Sequence, residues 1–333
     1  MSEKPRAPWL DRQLAQLLAQ RGHAWLLHGP SGLGQYALAL EMVRAWLCER
    51  PSAQGACGTC GSCHAIDVRT NADLFVLMPE TIMLELQWPL GEKAQKELDD
   101  KKRKPSKEIR IDALRDAIEF AQRTSGSGRG KAVLVYPAER MNAISANGLL
   151  KTLEEPAGDM KFVLASEAAQ QLLPTIRSRC LSHAMVWPET QELMPWFAAH
   201  GLESTQATTW LLAAGGRPDD ALALARSNLD AADWAKLPKA LQRGDSRAMQ
   251  GWGPPEIVVT LLKVCHDMQL HQQGAAPRFF LAKDLPQPAR FDVLSQWGRD
   301  LAQAMRTMEH PFNPGLMHEA LLSQAKNALN SRH

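Results

Sequence analysis

Hydrophobic residues follow two different patterns along the chain. In the first half, short apolar runs typical of buried strands occur at residues 23–28, 73–78, 131–136 and 162–165. Between these runs, at residues 36–47, 111–121 and 147–153, apolar residues recur every three to four positions, which is typical of helices. Because strands that alternate with helices are characteristic of parallel sheets, this half predicts an α/β domain.

The second half carries only the helical pattern. Short helices are predicted for residues 188–225, and from residue 230 onward apolar positions recur at helical spacing between prolines. Nothing there resembles a catalytic constellation, so we expect an all-helical region that serves oligomerisation. A chain of 333 residues is too long for one typical core, which suggests two or three domains.

One stretch, residues 92–107, is almost free of apolar residues and holds seven basic and four acidic side chains. Such a mixed charge run predicts a solvated loop or arm rather than a packed element. Its role is not evident from the sequence.

Composition narrows the class of protein. The chain is 45% hydrophobic, has a formal net charge of +2, contains no run of 18 apolar residues and begins without the apolar stretch of a signal peptide. We therefore expect a cytoplasmic protein without a membrane span. The small net charge neither demands nor excludes nucleic acid, so any contact with DNA would be local or shared with other subunits.

Four of the six cysteines are closely spaced: Cys48, Cys57, Cys60 and Cys63. With glycines between them, this spacing predicts a tetrahedral zinc site with four thiolate ligands, and because no coordination position stays open the metal is expected to be structural. An iron–sulfur cluster and fortuitous spacing are the alternatives. His64 could replace one thiol, although we expect it to face solvent.

Residues 29–36 have the outline of a phosphate-binding loop, with glycines at Gly29 and Gly34 after a predicted strand and before a predicted helix. In the pattern G-x-x-x-x-G-K-[ST], the Lys neutralises phosphate charge and the hydroxyl holds Mg²⁺. Gln35 and Tyr36 stand at these two positions, so the loop is expected to be vestigial. An ordinary glycine-rich turn is the alternative interpretation.

A second part of the ATPase centre is also altered. In a P-loop ATPase, the strand corresponding to residues 131–136 ends in carboxylates that hold Mg²⁺ and orient the attacking water. Here the strand ends in Tyr136, and Glu139 follows slightly too late to serve. Two independent losses predict that nucleotide hydrolysis does not occur at this site.

Three further segments carry a family resemblance: Asn-Gly-Leu-Leu-Lys-Thr-Leu-Glu-Glu-Pro at residues 147–156, Phe-Val-Leu-Ala-Ser at 162–166, and Thr-Ile-Arg-Ser-Arg-Cys at 175–180. Together with the phosphate loop and the cysteine insertion, the chain resembles the delta prime subunits of bacterial DNA polymerase III clamp loaders, in the AAA+ clamp-loader family. Beyond about residue 187, the agreement is one of composition, helical spacing and length.

The resemblance implies a fold of α/β plus all-α class. Its parts would be an AAA+ P-loop-like domain at residues 1–187, with a parallel sheet, flanking helices and the zinc module at residues 48–63; a small helical lid at 188–228; and a helical collar for oligomerisation at 229–333. In the lid of ATP-hydrolysing relatives an arginine contacts the nucleotide, and Asp219 occupies that place here, with Arg217 two residues earlier.

The resemblance also implies a function. Such a subunit sits in a five-membered ring with the delta subunit and the tau or gamma motor subunits, and the ring loads the sliding clamp onto primer–template DNA. It would not hydrolyse ATP itself, but would supply Arg179 as an arginine finger to a neighbour's ATP site. Arg177 is the alternative finger.

Taken from the residues alone, an arginine at this place more often caps a helix or pairs with a surface carboxylate. Two other functions remain open: a self-sufficient AAA+ ATPase with an atypical phosphate loop, and a zinc-ribbon protein that binds nucleic acid by itself.

Overall fold

The computed structural model describes residues 6–227, 229–307 and 313–331. The chain divides into two compact units, Met1–Glu192 and Leu193–His333. The division into a P-loop-like domain, a lid and a collar remains a prediction.

The first unit is built on a five-stranded parallel sheet. Its strands lie in the order β2-β3-β4-β1-β5. Their bounds are β1 Ala24–His28, β2 Leu74–Leu77, β3 Lys131–Val135, β4 Met160–Ser166 and β5 Leu181–Ala184. This confirms the predicted α/β unit with a parallel sheet, and the four strands predicted from apolar runs all form.

The central strands are apolar at nearly every position because helices cover both faces of a parallel sheet. In β1, Leu26 pairs with Leu164 of β4, and both are at most 2% exposed. The strand β5 at the edge is largely exposed, which explains why its weaker apolar pattern gave no prediction.

Helices surround this sheet. In chain order they are α1 Pro8–Leu18, α2 Gln35–Leu47, α3 Gly61–Asp67, α4 Glu80–Glu85, α5 Glu92–Asp99, α6 Ile111–Gln122, α7 Ala143–Glu154 and α8 Pro174–Arg177. The core on one side of the sheet joins strand residues such as Val133 and Phe162 to Leu114 of α6 and to Leu149 and Leu153 of α7. The apolar stripe predicted for residues 147–153 is therefore core.

A buried lysine caps the C-terminal end of α6. The Nζ atom of Lys131, a residue only 6% exposed, donates hydrogen bonds to the carbonyl oxygens of Phe120 at 2.6 Å and Ala121 at 2.8 Å, and to that of Arg123. The last carbonyls of a helix have no partner within it, and a cation is the group they favour there. Burial lowers the pKa of this amine.

The charged stretch at residues 92–107 has no buried residue, as predicted, but it is not a loop throughout, which corrects that part of the sequence prediction. It forms α5 and then folds back, and Arg103 holds it. The guanidinium of Arg103 pairs with the buried carboxylate of Glu80, and its Nη2 donates to Glu80 Oε1 at 2.7 Å. Its Nε donates to Glu97 at 2.7 Å. The backbone N–H of Ser106 also donates to Glu80. The lysines suggested a solvated segment, but it is Arg103 that binds the segment to the rest of the unit.

The second unit is all-helical over its described residues, as the sequence predicted. The helix α9 Thr190–Ala199 spans the division, and the others are α10 Ser204–Ala213, α11 Pro218–Ala225, α12 Ala231–Arg243, α13 Pro254–Gln272, α14 Phe291–Arg306 and α15 Pro314–Leu329. A fully buried carboxylate, Asp267 on α13, accepts the backbone N–H groups of Arg278, Phe279 and Phe280 and so fixes the segment after that helix. Among the described residues, no helix has the length and apolarity needed to cross a bilayer.

Candidate functional site: a modified phosphate loop and an exposed arginine

The phosphate loop has the predicted setting. It leaves β1 at His28, turns through residues 29–34 and enters α2 at Gln35. Gly34 has a φ of +89°, in the left-handed region, and a Cβ at this position would lie 2.8 Å from Cδ1 of Leu10. Only glycine fits such a backbone without strain, so the loop is a specific strand-to-helix turn.

The side chain at the lysine position turns back into the loop. Gln35 is 2% exposed, and its Nε2 donates to the carbonyl oxygens of Gly29 at 2.9 Å and Pro30 at 2.7 Å. The amide therefore binds the loop to itself. It brings no positive charge to the position where a nucleoside triphosphate needs one.

Two tyrosines occupy the positions that would hold magnesium. Tyr36 follows the lysine position, and Tyr136 directly follows β3, where the metal-binding carboxylate would be. Their ring centroids lie 5.3 Å apart. These are both of the tyrosines in the chain. The hydroxyl of Tyr136 donates to Glu167 Oε1 at 2.9 Å, so this phenol is engaged with the protein as well.

A tryptophan from the segment after β2 covers Tyr36. The indole Nε1 of Trp88 donates to the Tyr36 hydroxyl at 2.7 Å, and the guanidinium of Arg69 lies 4.2 Å from the Trp88 ring centroid. Trp88 is only 6% exposed. Burial raises the pKa of Tyr36, and the hydrogen bond from the indole offsets part of this shift. The Tyr36 ring thus packs against Tyr136, and its hydroxyl accepts a hydrogen bond from the Trp88 indole.

Glu139 is committed to the backbone. Its Oε1 accepts the N–H of Glu167 at 3.0 Å, which ties the short helical turn after β3 to the end of β4. Ser166, at the end of β4, is fully buried, and its hydroxyl accepts the N–H of Ala168 at 3.3 Å. Both side chains are used in local structure.

The four clustered cysteines converge. Their sulfur atoms all lie within 4.8 Å of one another, and the Sγ atoms of Cys48 and Cys60 are 3.8 Å apart. Zinc–sulfur bonds of about 2.3 Å in a tetrahedron require sulfur separations of about 3.8 Å, so the donor set fits zinc. Cys48 comes directly after α2, Cys60 caps α3 and Cys63 lies in its first turn, whereas His64 is exposed.

Backbone donors surround these sulfurs. Cys48 Sγ accepts the N–H groups of Arg50 at 3.4 Å and Cys57 at 3.2 Å, and Cys60 Sγ accepts that of Cys63 at 3.4 Å. Gly58 between the ligands has a φ of +73°, which lets the chain turn sharply there. Such donors stabilise negative charge on sulfur, as thiolate ligands require.

Arg179 lies beside α7 and α8. Its Nη1 donates to the carbonyl oxygen of Thr175 at 2.8 Å, and its Nε and Nη2 both face Glu154 Oε1 at the end of α7. Arg177 is exposed, and its guanidinium makes no hydrogen bond or ion pair with the described part of the chain. Cys180 is half-buried, and burial raises the pKa of its thiol to about 11.

In the second unit, the residue at the predicted lid position is acidic and exposed. Asp219 lies in the first turn of α11. Arg217, which precedes that helix, donates from Nε to the carbonyl oxygen of Ala214 at 2.8 Å and pairs through Nη2 with Asp220 at 3.0 Å. Its guanidinium is therefore engaged within the unit.

Comparison with known proteins adds a family. Residues 10–186 match the family described as DNA polymerase III, delta subunit. The chain is 31% identical over 269 residues to the DNA polymerase III subunit delta′ of Escherichia coli, a match that covers 74% of this chain and 73% of the relative. The chain belongs to the DNA polymerase III delta′ family.

Two further relatives extend this result. The delta′ subunit of Pseudomonas aeruginosa is 40% identical over 215 residues, which cover 63% of this chain and 58% of that protein. The DNA polymerase III subunit tau of E. coli is 30% identical over 159 residues, which cover 48% of this chain and 21% of that protein. The chain thus matches a little over half the length of the P. aeruginosa relative. The family match includes the phosphate loop, the four cysteines and Arg179.

Two contacts at the candidate site of this delta′-family chain were missed by the sequence prediction. Trp88 is the only aromatic residue between Phe75 and Phe120, which was a weak signal that it packs against something. Glu154, the partner of Arg179, is 25 residues away in sequence, and nothing in the helical pattern distinguishes it from Glu155. Both contacts depend on tertiary structure.

Proposed function

We propose that this chain is a non-hydrolysing subunit of the bacterial DNA polymerase III clamp loader, with the role of delta prime. In this role it helps to load the sliding clamp onto primed DNA during replication. It contributes to ATP hydrolysis only across a subunit boundary, by supplying Arg179 to a neighbouring ATPase subunit. The chain is therefore not an enzyme by itself but a component of the polymerase holoenzyme.

The observation that carries the proposal is the contact between Tyr36 and Tyr136. In P-loop ATPases, the loop hydroxyl and the carboxylate after the third core strand hold Mg²⁺ together. Two packed phenol rings at those positions leave the metal without either ligand. Because the metal and the lysine neutralise the triphosphate, loss of both removes the main source of binding energy.

Gln35 supports the same conclusion from the loop side. A neutral amide held by two loop carbonyls cannot offset phosphate charge. At the lid position, the Asp219 carboxylate would repel a phosphate rather than bind it. We therefore expect no productive ATP binding by this chain.

Arg179 suits a role in trans. It is one-third exposed, and a guanidinium stays charged at any physiological pH and presents paired donors to phosphate oxygens. An arginine supplied by a neighbour can raise phosphoryl-transfer rates by about three to five orders of magnitude. The assignment of Arg179 rather than Arg177 follows the family resemblance.

Zinc would have a structural role. Cys48, Cys57, Cys60 and Cys63 would hold it, and four thiolates leave no position for a catalytic water. When bound, the ion ties the end of α2 to the start of α3. The cysteines themselves close a loop that has few apolar contacts of its own.

The proposed partners follow from the proposed role. They are the tau or gamma motor subunits and the delta subunit in a five-membered ring, and, through that ring, the sliding clamp and primer–template DNA. The location would be cytoplasmic. The competing hypothesis, a self-sufficient AAA+ ATPase, requires the isolated chain to bind and hydrolyse ATP.

The test is a clamp loader reconstituted with Arg179→Ala. Assembly should survive, because the substitution removes one exposed pair. The DNA-stimulated ATPase of the ring should fall sharply, by about three orders of magnitude or more at the affected site. Arg177→Ala is the matched control and should keep the parent rate. Unchanged turnover with Arg179→Ala would refute the assignment, and a loss confined to Arg177→Ala would move the finger to that residue.

A further inference from the structure

Arg179 is folded back against its own subunit. Its Nε and Nη2 share Glu154 Oε1, and its Nη1 is held by the Thr175 carbonyl oxygen at 2.8 Å. All three guanidinium nitrogens are therefore occupied within the chain. Two of the five N–H donors remain, but the Nε–Nη2 edge is taken by Glu154, so this edge can bind a phosphate with paired hydrogen bonds only after Glu154 is displaced.

The pair is accessible enough to exchange partners. The side chain of Arg179 is 33% exposed and that of Glu154 is 44% exposed. An exposed pair between arginine and carboxylate is worth little, because water screens it. A triphosphate concentrates more negative charge than one carboxylate, and phosphate oxygens accept the same paired donors. A triphosphate close to Arg179 should therefore displace Glu154 from the guanidinium. After the terminal phosphate leaves, the Glu154 carboxylate should bind the guanidinium again.

We propose that Glu154 is the resting partner of Arg179. It holds the guanidinium against the end of α7 until a neighbour's triphosphate displaces it. This inference rests on the proposed function of Arg179 in trans, and it adds a positioning residue. Breaking the pair becomes part of the free-energy cost of engaging ATP, so Glu154 raises the ATP concentration at which the ring reaches half-maximal turnover.

The chain offers a matched control. Glu155 adjoins Glu154, is exposed, and its side chain makes no hydrogen bond or ion pair with the residues described here. Glu154→Gln and Glu155→Gln remove the same charge from neighbouring positions, so a difference between them reports the pairing with Arg179 rather than net charge. Glu154→Asp keeps the charge and should behave more like the parent chain.

The first experiment uses the isolated full chain and does not depend on the ring. The Nε–H signal of Arg179, assigned by its absence in Arg179→Lys, is followed by NMR for hydrogen exchange with water. Glu154→Gln should speed this exchange about two- to five-fold, the factor that corresponds to an exposed pair of about 0.4 to 1 kcal/mol. Glu155→Gln should leave the exchange unchanged. Equal exchange in the parent and Glu154→Gln chains would overturn the inference.

The second experiment measures ATP turnover by the reconstituted ring against ATP concentration. Glu154→Gln should lower the half-saturating ATP concentration about two- to five-fold at unchanged maximal turnover, and Arg179→Ala should remove this difference. Suppose that Arg179→Ala abolishes turnover, but Glu154→Gln leaves the half-saturating ATP concentration unchanged or lowers maximal turnover. The resting-partner role of Glu154 is then wrong, while the assignment of Arg179 as the arginine finger is retained. If Arg179→Ala leaves turnover unchanged, the proposed function fails and this inference fails with it.

Discussion

Tyr36 and Tyr136 pack ring against ring, with centroids 5.3 Å apart and planes tilted by 31°. One comes from the phosphate loop and the other from the end of β3, so the contact joins the two halves of what would be a metal site. Around this pair, the Trp88 indole and the Glu167 carboxylate each bind one phenol hydroxyl. Both phenols are thus engaged in contacts within the protein, which supports the proposed loss of magnesium nucleotide binding.

The Trp88 contact should contribute measurably to stability. Tyr36→Phe keeps the ring but leaves the buried indole N–H without its acceptor, which we expect to cost about 1 to 3 kcal/mol in free energy of unfolding. Denaturant titration of the full chain measures this. Tyr136→Phe is the control, and because Glu167 is only half-buried and keeps access to water, it should cost less. Equal losses of stability in the two variants would show that the hydrogen bond from the Trp88 indole contributes no more than that between Tyr136 and Glu167.

Tyr36 should titrate abnormally. Burial raises its pKa above the ordinary value of about 10, so the native state keeps a proton that the unfolded chain loses. The associated stability is complete below about pH 10 and is lost as the pH rises through the native pKa. Phenolate absorbance reports it cleanly, because the chain has only two tyrosines.

The Tyr36→Phe chain supplies the comparison for that titration. Subtracting its phenolate absorbance from that of the parent isolates Tyr36, and the difference should rise only above the ordinary range. The fall in stability above pH 10 should also be shallower in the variant. A difference curve with an ordinary midpoint would mean that the Tyr36 hydroxyl is open to water.

Arg103 should hold the segment of residues 92–107 in place. Arg103→Ala leaves the Glu80 carboxylate, 8% exposed as a residue, without its cation, and breaking such a pair costs about 3 kcal/mol. Hydrogen exchange should accelerate in α5 and at Ser106 while the sheet keeps its protection. Lys102→Ala removes a surface pair with Asp100 and serves as the control. Unchanged hydrogen exchange in Arg103→Ala would show that Arg103 does not hold residues 92–107, as expected of a solvated arm.

Zinc should depend on the four-cysteine cluster. Cys60→Ser should lose the metal and destabilise residues 48–67, because α2 ends and α3 begins at a ligand. Metal content measured by mass spectrometry should be about one zinc per parent chain. Cys180→Ala, outside the cluster, should keep it. Iron in place of zinc, or full zinc content in Cys60→Ser, would contradict the site.

Sequence patterns predicted the parts of this structure that local physics determines. The apolar run at residues 131–136, the glycine turn at 29–34 and the cysteine spacing each carry their information within a few residues, and the structure has β3, the loop and the sulfur cluster there. The helical spacing of residues 147–153 likewise predicted α7 and its buried face.

The missed features depend on contacts between distant residues. The segment of residues 92–107 was predicted as a loop or arm because it has little to bury, but one charge-assisted anchor, Arg103 with Glu80, can order such a segment without an apolar face. Similarly, no periodicity indicates that Trp88 reaches Tyr36, or that Glu154 rather than Glu155 faces Arg179. Side-chain partners across 20 or more residues are set by the tertiary fold.

The most direct test of the central claim is a calorimetric titration of the isolated full chain with ATP and Mg²⁺. The account predicts no saturable binding up to about 1 mM ATP, and the same for Gln35→Lys, because the restored cation would still face the two tyrosines. Saturable binding of Mg²⁺-ATP by the parent chain at micromolar concentration, accompanied by turnover, would contradict it.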